Sequence, residues 1–291
     1  MTNSTIINSY ALYGGVIYIQ DFSVIYFNDC EILGSRTSGT LIDLDSSILS
    51  MTNNKISETF NNLFLITSSN VSIKGIFISN HECNAIIQGC LMKSLLESQI
   101  QISNSTFLNI KSLTSDNIFF TSSFVSINNV FINGTMNKKK EGCCLGSTNS
   151  ELSINDSDFE NYLGNCLNIQ LSTIRLNNTL FHFNQYDEQF FALGAFYCLD
   201  CFIYIIDRSY FSSNKHVIKG AAIQCINNYK KDENASVSSI LNSVFQENEG
   251  TDLGGAIYLQ NQQVEVEKCD FMKNTANEGG AIYCSIDGKI N

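Results

Sequence analysis

The residues of this chain whose types and spacing could do chemistry are an acidic pair, three histidines and a scatter of cysteines. Asp43 and Asp45, in "LIDLD", stand two apart, which puts both carboxylates on one face of a strand. Hydrolysis of a glycosidic bond needs two or three such groups converging on one groove, and a lyase needs acidic metal ligands with a basic residue. Read across neighbouring repeats, the positions equivalent to this pair carry Ile19 and Ile66, so no third carboxylate is expected beside it. His81, His182 and His216 share no spacing and no Gly-His-Gly setting. "GTDLGG" at 250–255 resembles one turn of a calcium-binding nonapeptide array, but that array works only in successive turns. No Gly-rich phosphate loop is followed by Lys-Ser/Thr. The expectation is a chain with no catalytic residue, no metal site and no cofactor.

The chain has 11 Cys. Cys198 and Cys201 form a C-x-x-C, but a zinc site needs a second pair at matching spacing, and none follows. Seven N-glycosylation sequons, at Asn3, Asn70, Asn104, Asn133, Asn155, Asn177 and Asn234, are about as many as the Asn and Ser/Thr content yields by chance. A net charge of -11 disfavours nucleic acid and anionic membranes as partners, and the basic run Lys138–Lys140 reads as a solvated loop tip. The N-terminus carries no signal-peptide pattern, and the best candidate span, 190–206, is short and interrupted by Asp200.

The elements that would position these groups come from a repeat. The chain of 291 residues has 35 Asn, 35 Ser, 20 Phe and no Pro. An apolar, often Phe, position recurs at Ile6, Ile32, Ile56, Phe77, Phe107, Phe131, Phe159, Phe181, Phe211, Phe245 and Phe271, a mean step of about 26 residues. Between these falls a small-residue position at Val16, Thr40, Leu63, Ala85, Ile118, Cys143, Cys166, Ala195, Ala222, Ala256 and Ala281. Each unit also carries an alternating pair such as Val264 and Val266, the period of a strand with one face buried. Three short strands per unit and no helical period predict an all-β fold, a right-handed parallel β-helix of about eleven coils over residues 1–291 as a single domain. Stacked at about 4.8 Å, such coils share a core and pair every backbone group, which leaves no room for proline. The eight phenylalanines from Phe77 to Phe271 are expected to stack in that core. Asn80, Asn184, Asn214, Asn248 and Asn274, three residues on from a Phe, are expected to form an internal amide ladder. Ligand-binding amides are the alternative. In the same register Cys198, Cys225 and Cys284 share one position and Cys143 and Cys166 another, so either set could form disulfides or remain inward-facing thiols.

The pairing of "GGAI" at 254–257 and 279–282 with F-x-x-N at Phe245–Asn248 and Phe271–Asn274 resembles the repeats of chlamydial polymorphic outer membrane proteins. It is also similar to repeat-bearing surface proteins of ciliates and other protists, and the implied fold is pectin-lyase-like. The resemblance implies an extracellular or cell-surface module with a structural or adhesive role. A polysaccharide-active enzyme and a scaffold subunit of a larger assembly are the rival readings. The expected partners are a protein or further chain capping the solenoid ends, together with glycans. Two long units, with inserts at about 88–99 and 227–236, are expected to project from one corner.

Overall fold

The computed structural model describes residues 1–11, 15–83, 89–112, 116–134, 136–137, 143–184, 194–216, 218–228, 237–285 and 289–290. These form two compact units, Met1–Gly146 and Ser147–Asn291, each described by itself below. Every strand ladder within them is parallel, and the described residues contain no helix. The architecture is a parallel β-solenoid with about nine turns of about 26 residues. The repeat count of eleven was slightly high. The first and last repeats carry only part of a turn, the last contributing just the strand Lys289–Ile290 beyond Ile282–Ser285.

Each turn has three strand positions, seen in unit two at Ile257–Gln260, Gln263–Glu267 and Asp270–Met272. The second and third fuse into one strand in unit one at Gln99–Leu108 and Phe124–Asn133. Most described strands enter a corner through a residue in the left-handed region. Between the second and third positions this residue is Asp29, Asn53, Gly75, Asn104, Asn129, Asp156, Asn178, Arg208, Asn242 or Lys268, with φ between 47° and 65°. Asn, Asp and Gly tolerate that conformation best, which explains much of the Asn content. The next residue points inward and in five of these ten corners, at Ser105, Ser157, Thr179, Ser209 and Ser243, is a hydroxyl. Thr179 N–H donates to Ser209 Oγ at 3.3 Å and Ser209 N–H to Ser243 Oγ at 3.1 Å. Ser47, Ser69 and Ser98 do the same at the preceding corner. The serines thus satisfy buried backbone donors that a turn would otherwise leave unpaired.

In unit two the third corner is an amide ladder. Asn184 Nδ2 donates to Asn214 Oδ1 at 3.0 Å, Asn214 Nδ2 to Asn248 Oδ1 at 2.9 Å, and Asn248 Nδ2 to Asn274 Oδ1 at 2.9 Å. The same Oδ1 atoms accept the backbone N–H of the preceding Asn. The second proton of each amide goes to the Phe carbonyl one turn back. Beside it Phe159, Phe181, Phe211, Phe245 and Phe271 stack with ring centroids 5.1, 4.7, 5.1 and 4.9 Å apart and planes within 8°.

Unit one departs from that expectation. Ile78, not Phe77, pairs with Ile56 and Phe107 and is buried, while Phe77 points out at 37% exposure. Ile132, not Phe131, takes the inward place above Phe107. With the core residue moved on by one, Asn80 falls on the left-handed corner at φ 51° and is exposed, so it is no rung of the internal ladder. The rung belongs to His81, stacked on Thr59, Ser35 and Ser9 through Glu82 N–H to Thr59 O, Phe60 N–H to Ser35 O and Arg36 N–H to Ser9 O.

The small-residue position also shifts in unit one. Ile42, Phe64, Met92 and Ile118 align, which places Leu41, Leu91 and Asn117 where Thr40, Ala85 and Ile118 were expected. Ala85 itself lies outside the described residues. The first insert therefore precedes Leu91, whereas the second follows Ile223–Ile226, with 229–236 outside the described residues. The two leave different corners.

The "GGAI" corner turns on its first glycine. Gly254 has φ +68°, and a Cβ there would stand 2.2 Å from Ile257 O; at Gly279 (φ +60°) it would stand 2.4 Å from Ile282 O. The chain folds back over the strand it is about to form, an approach only glycine permits.

Candidate functional site

The inward columns consume most of the polar side chains singled out in the sequence, so a site must be built from groups on the outer faces. In unit one Asp43 and Asp45 both point outward from Arg36–Asp45. Their strand neighbours differ from the expected ones: Asp43 lies between Tyr18 and Leu65, and Asp45 beside Thr67. Partial burial, and then the charge of Asp45, raise the Asp43 pKa above the carboxylate norm, while the Leu44 N–H opposes the shift.

Unit two carries a second i, i+2 acidic pair that the sequence reading missed, Asp156 and Asp158, at the corner between its second and third strand positions. Together with Asn178, Thr179, Leu180, Arg208 and Tyr210 they line a groove of about 170 Å³. Three adjacent turns build it. Asp158, Leu180 and Tyr210 are direct neighbours across the ladder, and Asp156, Asn178 and Arg208 are the left-handed corner residues beside them. Asn178 Nδ2 donates to Asp156 Oδ1 at 2.7 Å. Arg208, which also lines the groove, donates through Nη2 to Asn177 Oδ1 at 2.7 Å and pairs through Nε with Asp207 at 3.2 Å. Tyr210 donates its hydroxyl to Gln246 Oε1 at 2.7 Å, which fixes its ring over the groove wall. Asp158 is half-buried; burial first, and the Glu160 charge second, raise its pKa. The signal for this site was present in "NDSDFE", but it becomes visible only once Arg208 and Tyr210 are known to lie two turns away.

The sulfur and imidazole groups are mostly internal. Disulfides join Cys83 to Cys90 and Cys198 to Cys201. Cys198 does neighbour Cys225 across the ladder, yet it closes onto Cys201 in its own turn, and Leu259 separates Cys225 from Cys284 in the same column. The Cys143 thiol donates to Asp116 Oδ1 at 3.2 Å in unit one, and the Cys166 thiol to Asn184 Oδ1 at 3.4 Å in unit two. His81 is wholly buried, between Thr59 Oγ1 at 2.7 Å on Nδ1 and the Cys90 carbonyl at 3.2 Å on Nε2. The carbonyl can only accept, so Nε2 carries the proton and the Thr59 hydroxyl donates to Nδ1. Burial pushes the His81 pKa down to about 4, against opposing hydrogen bonds to Cys90 and Thr59. Among the described residues no group of three or more His, Cys, Asp or Glu is placed to hold a metal ion. Residues 196–199 and 203–207 of the apolar stretch are strands, and no described helix is long and apolar enough to cross a membrane.

Residues 268–285 match the Chlamydia polymorphic membrane protein repeat. That segment holds the last F-x-x-N, Phe271–Asn274, and the second "GGAIY", so the match falls on the motif pair that carries the resemblance. No curated protein matches. Among solved structures, endo-xylogalacturonan hydrolase from Aspergillus tubingensis is similar over 98% of this chain and 88% of that one, at 11% identity and a TM-score of 0.33.

Proposed function

We propose that the chain is a structural or adhesive β-helix module of a cell-surface protein, displayed outside the cell. The observation that carries this reading is the match of residues 268–285 to a membrane-protein repeat, in a solenoid whose motif residues hold turn to turn. Such a module presents its corners to partners: a protein or further repeat on the solenoid ends, and glycans or proteins on its outer faces. Its role is therefore one of display rather than turnover. The test is protease shaving of intact cells that express the native gene. Loss of the chain from unpermeabilised cells supports the proposal, and full protection in cells whose known surface proteins are cleaved refutes it.

A polysaccharide-active enzyme is the second reading, and Asp156 with Asp158 favours it, since two carboxyl groups line one groove and burial raises the pKa of Asp158, the direction a general acid needs. Release of reducing or unsaturated ends from a panel of plant and microbial polysaccharides, abolished by Asp158→Asn, would establish it. A clean negative across the panel returns the groove to a binding role.

A further inference from the structure

We propose that the groove of Asp156, Asp158, Leu180 and Tyr210 is a docking site for a basic side chain, lysine or arginine, of a partner protein. The proposal rests on the surface-module reading and names the chemistry by which that module would hold a partner.

Four observations converge on a cation. Among the described residues no donor or cation engages the Asp158 carboxylate, although it is half-buried. A partly desolvated carboxylate without a partner is an unfavourable arrangement that an incoming cation relieves. The cation already present, Arg208, is committed to Asp207 and Asn177 and does not come within ion-pair distance of either groove acid. The groove floor is apolar at Leu180 and its wall is the Tyr210 ring, the surroundings that an aliphatic stem and a cationic head need, with the head available for a cation–π contact. Finally, the chain carries a net charge of -11, and Asp156, Asp158, Glu160 and Asp207 lie together here, so long-range attraction brings basic partners towards this face. A neutral sugar could donate hydroxyl hydrogen bonds to the carboxylates but would not neutralise their charge, as a lysine or arginine head does.

The experiment is an NMR titration of the full chain with a short lysine-containing peptide capped at both ends, repeated with its acetyl-lysine counterpart and with a neutral oligosaccharide. The expected result is that signals of Asp156, Asp158, Leu180 and Tyr210 move with the lysine peptide and not with the other two. Asp158→Asn should weaken that binding by about tenfold. Glu265→Gln, an exposed acid elsewhere in unit two, should leave it unchanged. Equal binding by Asp158→Asn with an unchanged melting temperature would reduce the effect to general acidity and overturn the site. Movement of the groove signals with the oligosaccharide alone would overturn the choice of ligand. A negative titration from a chain found on the cell surface would reject the site and leave the module reading standing.

Discussion

The two units solve the same corner with different chemistry. In unit two the third corner is Asn184, Asn214, Asn248 and Asn274 beside a column of stacked phenylalanines. In unit one it is Ser9, Ser35, Thr59 and His81 beside Ile32, Ile56, Ile78 and Phe107. Each Asn presents one acceptor and two donors, so identical residues satisfy each other without limit along the stack. Hydroxyls and a single imidazole need locally matched partners, and unit one passes from serine to threonine to histidine along its rungs. A uniform ladder is robust to register because each rung fits the next, whereas the mixed one is particular to its sequence.

The largest effect that would sharpen this contrast is Phe211→Ala. It removes a ring packed between Phe181 and Phe245 and should cost about 3–5 kcal/mol in denaturant unfolding. A cost under about 1 kcal/mol would break the claim that the aromatic column holds unit two together. Acid should single out unit one. Above pH 6.5 His81 is neutral whether folded or unfolded, so stability is unaffected. As pH falls from 6.5 towards 4 the unfolded imidazole gains a proton that the folded one refuses, and about 3 kcal/mol is lost. His81→Asn should abolish that slope in a pH series of unfolding curves, and a slope that survives would place the acid sensitivity elsewhere. Asn214→Ala follows at about 2–3 kcal/mol, because Asn184 loses the acceptor for both its N–H and its Nδ2. Phe77→Ser should change stability by no more than about 0.5 kcal/mol, since that ring faces solvent in unit one; a multi-kcal loss would restore Phe77 to the core.

The period, the parallel stacking, the Phe159–Phe271 column and four of the five ladder asparagines were legible in the sequence, because in unit two Phe marks the core column and Asn marks the ladder. Unit one blurs that mark. At Phe77-Ile78 and Phe131-Ile132 two large apolar residues adjoin, and hydrophobicity alone cannot say which faces in; the left-handed corner at Asn80, and Gly134 with φ +65°, decide it. Interchange of Asn, Asp and Gly at one repeat position was the available signal, since those residues share tolerance of positive φ rather than a side-chain role. The acidic groove was hidden for another reason. Asp156, Asn178 and Arg208 are more than twenty residues apart at each step and become neighbours only through the exact turn lengths between them.

The direction of the hydrogen bonds has a mechanical consequence. In unit two the backbone ladders, the amide ladder and the ring stack all run from one turn to the next, while the strands lie across that direction. Tension applied along the stack therefore loads a few bonds at a time and peels turns one by one from an end. Tension applied along a strand must shear many bonds at once. Anchored through its flanks, such a unit would bear far greater force than when pulled by its ends, so the points of attachment would set the strength of any tether built from it.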